Sequence, residues 1–156
     1  EALPTLCSTH RERYAGYSLR RVCREMHDFY RSANIKELQR RCFRASSFPE
    51  LAMAPRDAYE ALVANEVDYV PLDAIRGRVA ATLAPIYPPG IGVVVPGERW
   101  DERAQPMLDY FLVFEESFNR FPGFNYEVQG VYQERIDGRI KFHTYAVREP
   151  APGRPA

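Results

Sequence analysis

The side chains of this sequence whose chemistry goes beyond packing are a few lysines, carboxylates, histidines and cysteines, and their spacing limits what each can do. Lys36 and Lys141 are the only lysines among 21 basic residues. A lysine that attacks a carbonyl to form a Schiff base needs a site that helps it shed its proton. Lys36 sits in Asn34-Ile35-Lys36-Glu37, which resembles a capping box at an exposed helix start. Lys141 sits in a hairpin strand, and both lysines are expected at the surface. His10, His27 and His143 are scattered, with no second histidine at i, i+4, so no metal site is expected. Cys7, Cys23 and Cys42 lack a CxxC spacing and give neither a disulfide framework nor a zinc signature. Cys23 and Cys42 fall on apolar helical positions, where a cysteine acts as a small buried hydrophobe. Gly90, Gly92 and Gly97 are spaced for turns around a strand, not for a phosphate cradle ahead of a helix. Tyr14, Tyr17 and Tyr30 read as packing residues.

Two carboxylates carry more information. Glu98 follows Val93-Val94-Val95-Pro96-Gly97 at the end of an apolar strand. There it can cap a turn or pair with Arg99 or Arg103. Glu115 lies on an apolar helix face beside Glu116 and is expected to pair with an arginine inside the domain.

The elements that position these groups change period along the chain. Residues 18–32 read as a helix capped by Ser18, with Val22, Met26, Phe29 and Tyr30 at helical spacing. A second helix follows Asn34, with Ile35, Leu38, Cys42 and Phe43 as an apolar stripe and Arg40, Arg41 and Arg44 facing water. A third begins near Pro55, a residue suited to a first helical turn. Tyr59, Leu62 and Val63 are expected to be its buried face. Val67-Asp68-Tyr69-Val70 reads as a strand. Residues 78–86 and 91–95 are apolar runs that suit strands buried on both faces. Between them, Tyr87-Pro88-Pro89-Gly90 reads as a stiff corner, with Pro89-Gly90 at the centre of a type II turn. Residues 101–121 form the strongest helix, with Leu108, Phe111, Leu112, Glu115 and Phe118 on one face and Pro106 early, where a start near Arg103 tolerates it. A hairpin of residues 126–134 and 139–147 turns at Asp137-Gly138. Ile140, Phe142, Thr144 and Ala146 make its core-facing side. Residues 149–156, with three prolines and a glycine, read as a disordered tail.

The class is therefore α+β: N-terminal helices, a small mixed or antiparallel sheet, one long helix and a C-terminal β-hairpin. One domain spans 1–148, with a helical lead-in at 18–46 and an α+β core at 48–148. At 156 residues the chain can bury a real core. Its formal net charge is +0, which argues against partners such as nucleic acid or a membrane that demand a basic excess. No stretch reaches the roughly 18 apolar residues of a membrane span. The chain starts Glu1-Ala2-Leu3-Pro4 with no initiator Met and no signal-peptide character, so it is expected to be a piece of something longer, with reduced thiols in a cytoplasm.

Five motifs in order carry a resemblance. Phe48-Pro49-Glu50-Leu51-Ala52-Met53-Ala54-Pro55 is followed by Gly77-Arg78-Val79-Ala80-Ala81. Then come Tyr87-Pro88-Pro89-Gly90-Ile91 with Pro96-Gly97-Glu98, Phe121-Pro122-Gly123-Phe124, and Gly130-Val131-Tyr132. Together they resemble the C-terminal domain of the bacterial lysine/arginine/ornithine decarboxylases, from Phe48 to Val147. Before Phe48 the agreement is in helix pattern more than in residues. The resemblance implies an enzyme that releases CO2 from a basic amino acid with pyridoxal phosphate (PLP), giving a diamine or agmatine. It implies that the cofactor and its lysine belong to absent domains, so no catalytic, cofactor-binding or metal residue is expected in this chain. Its partners would be its own catalytic PLP domain and further copies, as a homodimer or higher oligomer. Tyr87, Pro88, Pro89, Gly90, Glu98 and Arg99 are the candidates for a substrate entrance or an interface, with Glu98 near a channel for a dibasic amino acid. The alternative is a purely structural, oligomerising module. Gly130-Val131-Tyr132 and Phe114-Glu115-Glu116 lean toward the ornithine branch, with lysine and arginine left open.

Overall fold

The computed structural model describes residues 2–86, 90–125 and 127–149. The described residues form α1 (Ala2–Thr9), α2 (Arg11–Tyr14), α3 (Leu19–Ser32), α4 (Ile35–Cys42), α5 (Pro55–Val63), β1 (Val67–Pro71), β2 (Ala84–Ile86), β3 (Ile91–Val94), α6 (Gln105–Arg120), β4 (Tyr132–Ile136) and β5 (Arg139–Val147). The strands make two antiparallel sheets, one ordered β1-β5-β4 and one made of β2 and β3. The expected α+β class holds.

Local chemistry explains most boundaries. Ser18 caps α3, its Oγ accepting from the Arg21 N–H at 3.3 Å. Asn34 also precedes a helix, but its side chain makes no capping bond; it supplies instead the left-handed backbone (φ 53°) that lets α4 turn away from α3. The expected capping box is thus absent. Asp137 and Gly138, both at positive φ, make the primed turn between β4 and β5.

Helix α6 lies across β5. Phe111, Phe118 and Phe142 are each at most 1% exposed, and the Phe118 and Phe142 rings meet edge-on at 5.3 Å. Burying such a side chain contributes about 1.5–3 kcal/mol. Ile140, Phe142, Thr144 and Ala146 all face inward, as their alternation predicts. The N-terminal helices clasp the far end of α6: Tyr14 is fully buried and donates to the Pro122 carbonyl at 3.0 Å, and Arg13 donates to the Arg120 carbonyl while pairing with Glu25. Tyr30 and Ser117 share a 2.6 Å hydrogen bond between α3 and α6.

Several expectations are corrected. The long apolar run of residues 78–86 is a strand only over β2, because the chain first makes single bridges at Val79 and Ala80. Ile91 and Gly92 at the start of β3 are exposed. Helix α6 begins at Gln105, after a turn that Asp101 caps through the Arg103 and Ala104 N–H groups. The strand expected over 126–134 is β4, shifted toward the turn, and Tyr126 lies outside the described residues. Cys42 is buried but Cys23 is exposed, and Phe43 is exposed. On α5 the buried side chain is Ala58, whereas Tyr59 and Val63 are 60% and 69% exposed. Periodicity finds an apolar stripe without saying what it faces. The tail expectation for residues 150–156 lies outside the described residues.

Candidate functional site

Of the expected entrance residues, the described ones stand at the two ends of β3. Tyr87, Pro88 and Pro89 lie outside the described residues. Gly90, at φ 96°, donates its N–H to the Ile86 carbonyl and opens β3. At roughly 3.3 Å per residue, β3 carries the chain away from Gly90 before it reaches Glu98 and Arg99, so Gly90 and the carboxylate occupy opposite ends of the strand.

At Glu98 three segments are tied together. The Gly97 carbonyl accepts from the Ala52 and Met53 N–H groups, the Glu98 carbonyl from Ala80, and the Arg99 N–H donates to the Glu50 carbonyl. Gly97 is required here: it sits at φ 89°, and a Cβ would strike the Met53 carbonyl. The Glu98 side chain turns back as a cap, Oε2 accepting from the Val95 N–H at 2.8 Å. Of the two structural roles expected for it, the cap is present. The ion pair is not: Arg99 donates to the Gly77 carbonyl at 2.6 Å, and Arg103 pairs with Asp101. Burial raises the Glu98 pKa above the ordinary carboxylate value, the Val95 N–H opposing and the Asp101 charge adding to the rise.

Near the hairpin, an open groove of about 540 Å3 is lined by Thr82, Leu83, Glu127, Val128, Gly130 and Tyr132 among others. Two of its lining residues are tied to β5: Thr144 donates to the Gly130 carbonyl at 2.7 Å and shares a 2.9 Å bond with Thr82. Gly130 admits no side chain, because a Cβ would collide with the Leu83 carbonyl.

The second expected carboxylate does something that sequence reasoning missed. β1 stops at Pro71, opposite His143, so residues 140–142 of β5 have no strand beside them on that side. Helix α6 takes the strand's place. Asn119 donates to the Ile140 carbonyl (2.8 Å) and accepts from the Ile140 N–H (2.7 Å), and Glu115 accepts from the Phe142 N–H at 2.6 Å. Glu115 also pairs with Lys141 at 3.3 Å, not with the expected arginine, and Lys141 reaches Asp73 at 2.7 Å. The spacing Glu115, Asn119 is i, i+4, which puts both on one helix face.

Chemistry at the lysines follows from this. The Asp73 hydrogen bond, helped by Glu115, raises the Lys141 pKa despite partial desolvation. That keeps the amine protonated, the reverse of what a Schiff-base lysine needs. Lys36 stands exposed at the start of α4. Neither geometry fits a lysine that holds an aldehyde cofactor. Among the described residues, no group of three His, Cys, Asp or Glu could hold a metal ion, and no helix is long and apolar enough to cross a membrane.

Comparison with known proteins fits this arrangement. The family model for "Orn/Lys/Arg decarboxylase, C-terminal domain" matches residues 36–148. The chain is 47% identical over 148 residues to ornithine decarboxylase of Haemophilus influenzae, covering 94% of this chain and 20% of that protein. It is 46% identical, again over 148 residues, to inducible ornithine decarboxylase of Escherichia coli, covering 95% and 20%. Among solved structures, lysine decarboxylase A from Pseudomonas aeruginosa superposes with a TM-score of 0.77 at 35% identity, covering 87% of this chain and 18% of that one. The chain therefore spans about a fifth of the length of these relatives. The likeness also reaches upstream of Phe48, where motif reading found little beyond helix pattern.

Proposed function

The chain belongs to the Orn/Lys/Arg decarboxylase C-terminal domain family, and from that premise we propose that it completes a PLP-dependent decarboxylase by packing on the catalytic domain and helping to shape the active-site entrance. The substrate is a basic amino acid, with ornithine favoured by the names and identities of the two relatives above. The full-length enzyme removes the α-carboxylate as CO2, in the cytoplasm, and works as a dimer or higher oligomer. PLP and its lysine reside outside this chain, and the isolated domain is inactive.

The observation that carries the entrance role is the Glu98 corner. Three backbone segments hold it, and its carboxylate has no cationic partner among the described residues. An uncompensated carboxylate near a channel raises the local concentration of a cationic substrate. The experiment is kinetic, in the full-length enzyme. Glu98→Gln should keep kcat, lower kcat/KM and flatten its salt dependence. Unchanged kcat/KM at every salt concentration would end the entrance role.

A second reading, assembly without substrate contact, is favoured by α5. Tyr59 and Val63, spaced i, i+4, point outward together. An apolar pair left exposed on a helix suits a surface that another domain or subunit covers. Loss of assembly in Val63→Asp, with per-site kcat/KM unchanged, would favour this reading.

A further inference from the structure

We propose that the open groove near the β2-β3 hairpin binds a primary alkylammonium group, with the Glu127 carboxylate taking the charge and the apolar walls covering the methylene stem. The inference does not rest on the decarboxylase reading, since it uses only the shape and charge of this groove.

Two segments far apart in sequence make the walls. Thr82 and Leu83, just ahead of β2, line one part, and residues 127–133, which lead into β4, line the rest. Local contacts fix how these segments meet. The Val131 N–H donates to the Val128 carbonyl at 3.1 Å, closing a tight turn with Gly130 at φ 72°. That turn lies so close to the Leu83 carbonyl that Gly130 has no room for a Cβ. The Thr82 and Thr144 hydroxyls share a hydrogen bond, and Thr144 also donates to the Gly130 carbonyl. The groove is therefore built by the fold itself, and its volume of about 540 Å3 is that of a small-molecule site.

One charge dominates it. Glu127 is the only charged residue in the described lining. It also borders a smaller cleft lined by Pro85, Ile86, Tyr110, Phe111 and Phe114, where it is again the only charged residue. Its side chain is exposed, and no hydrogen bond or ion pair engages its carboxylate among the described residues. Other carboxylates of the domain are engaged: Glu115 with Lys141, Glu116 with Arg139, Asp68 with Arg78 and Arg148. Leu83 and Tyr132, at 45% and 43% exposure, supply apolar surface within the same groove, and Val128 and Val131 back it.

A lone carboxylate among apolar walls selects its ligand. An anion is repelled. A metal ion needs more oxygen or nitrogen ligands than one carboxylate supplies. A neutral apolar molecule would strip water from the carboxylate and offer no partner in return. A primary ammonium on a methylene stem satisfies both features. Its N–H groups donate to the carboxylate in charge-assisted hydrogen bonds, and its stem lies along the apolar walls.

The test titrates this chain with 1,4-diaminobutane and follows the methyl resonances of Leu83, Val128 and Val131, with 1,4-butanediol as the uncharged control. The expected result is saturable shifts at those three residues for the diamine and none for the diol. Glu127→Gln should weaken binding about tenfold, as loss of a hydrogen bond to a charged group requires. Glu134→Gln, at an exposed carboxylate on β4 just outside the groove, should leave affinity unchanged. Both positions are exposed, so both variants should keep the thermal midpoint of the parent chain. Absence of saturation, equal binding of the diol, full affinity in Glu127→Gln, or equal losses in the two variants would overturn the proposal. A lysine blocked at both α groups carries the same ammonium from a protein source. Tighter binding of the diamine assigns the groove to free amines, and tighter binding of the blocked lysine assigns it to a lysine side chain; either ranking supports the alkylammonium site.

Discussion

Helix α6 buries aromatic side chains around much of its circumference, whereas α5 turns Tyr59 and Val63 outward. Both helices begin with proline in the first turn, and both read as amphipathic. The difference lies in what surrounds them. Helix α6 has β5 on one side, where Phe118 meets Phe142 and Glu115 and Asn119 pair with open backbone. It has α3 and α4 on another, where Tyr30 bonds Ser117 and Phe29 packs on Phe121. Helix α5 buries only Ala58 fully and presents Tyr59 and Val63 to the outside. A fold that had to stand alone would gain nothing from that placement. That placement is the observation behind the assembly reading proposed above for a chain that spans a fifth of its relatives' length.

The largest test of the contrast is truncation. Phe142→Ala or Phe118→Ala should cost about 3–5 kcal/mol in urea unfolding of this chain, whereas Tyr59→Ala should stay within about 0.5 kcal/mol. Equal costs would erase the distinction between core helix and docking helix. Next in size is the α6 edge contact. Glu115→Ala leaves the buried Phe142 N–H unpaired and should cost about 1–3 kcal/mol; Glu115→Gln keeps an acceptor and should recover most of that loss. Hydrogen exchange at the Phe142 amide separates the two, fast in the alanine variant and slow in the glutamine one. A smaller effect is expected at the α6 approach, where Asp101→Ala removes a cap and should cost about 1 kcal/mol.

The two regions should also respond to pH in the same sense but in different windows. Lys141, on the α6 side, has a raised pKa, so its ion pairs stabilise the fold below the ordinary lysine value and are lost as pH rises through the folded value. Glu98, tied to the segment that leads into α5, has a raised carboxyl pKa. As pH climbs past the ordinary carboxylate value, the unfolded chain releases that proton first, so the group's contribution to stability falls from mild acid toward neutrality. Unfolding across that range should show a shallower decline in Glu98→Gln than in the parent. Identical profiles would remove the burial cost assigned to Glu98.

Much of this architecture was legible in the sequence because its signals are local. Ser18 caps, Pro55 opens a helix, Asp137-Gly138 turns a hairpin, and the alternation from Ile140 to Ala146 marks a core face. What was not legible depends on residues far apart. Glu115 finds the Phe142 N–H because β1 ends at Pro71, one residue short of facing it, and no pattern within α6 announces that. Tyr59 and Val63 have helical spacing, but spacing does not reveal whether the protein or something beyond it lies opposite. The groove at Glu127 draws its walls from residues 82–83 and 127–133 and emerges only where the fold brings them together. The same holds for Glu98: position marked it as a cap, and only the structure shows Arg99 and Arg103 engaged elsewhere.

The proposed role makes this chain part of a decarboxylase without a share in the chemistry. The direct measurement mixes the isolated chain with PLP and ornithine, records the Schiff-base absorbance and assays CO2, with the full-length enzyme in parallel. The expected result is no Schiff-base band and no CO2 from the chain, and CO2 from the full-length enzyme. A specific Schiff base on Lys36 or Lys141, or turnover by the chain alone, would contradict it.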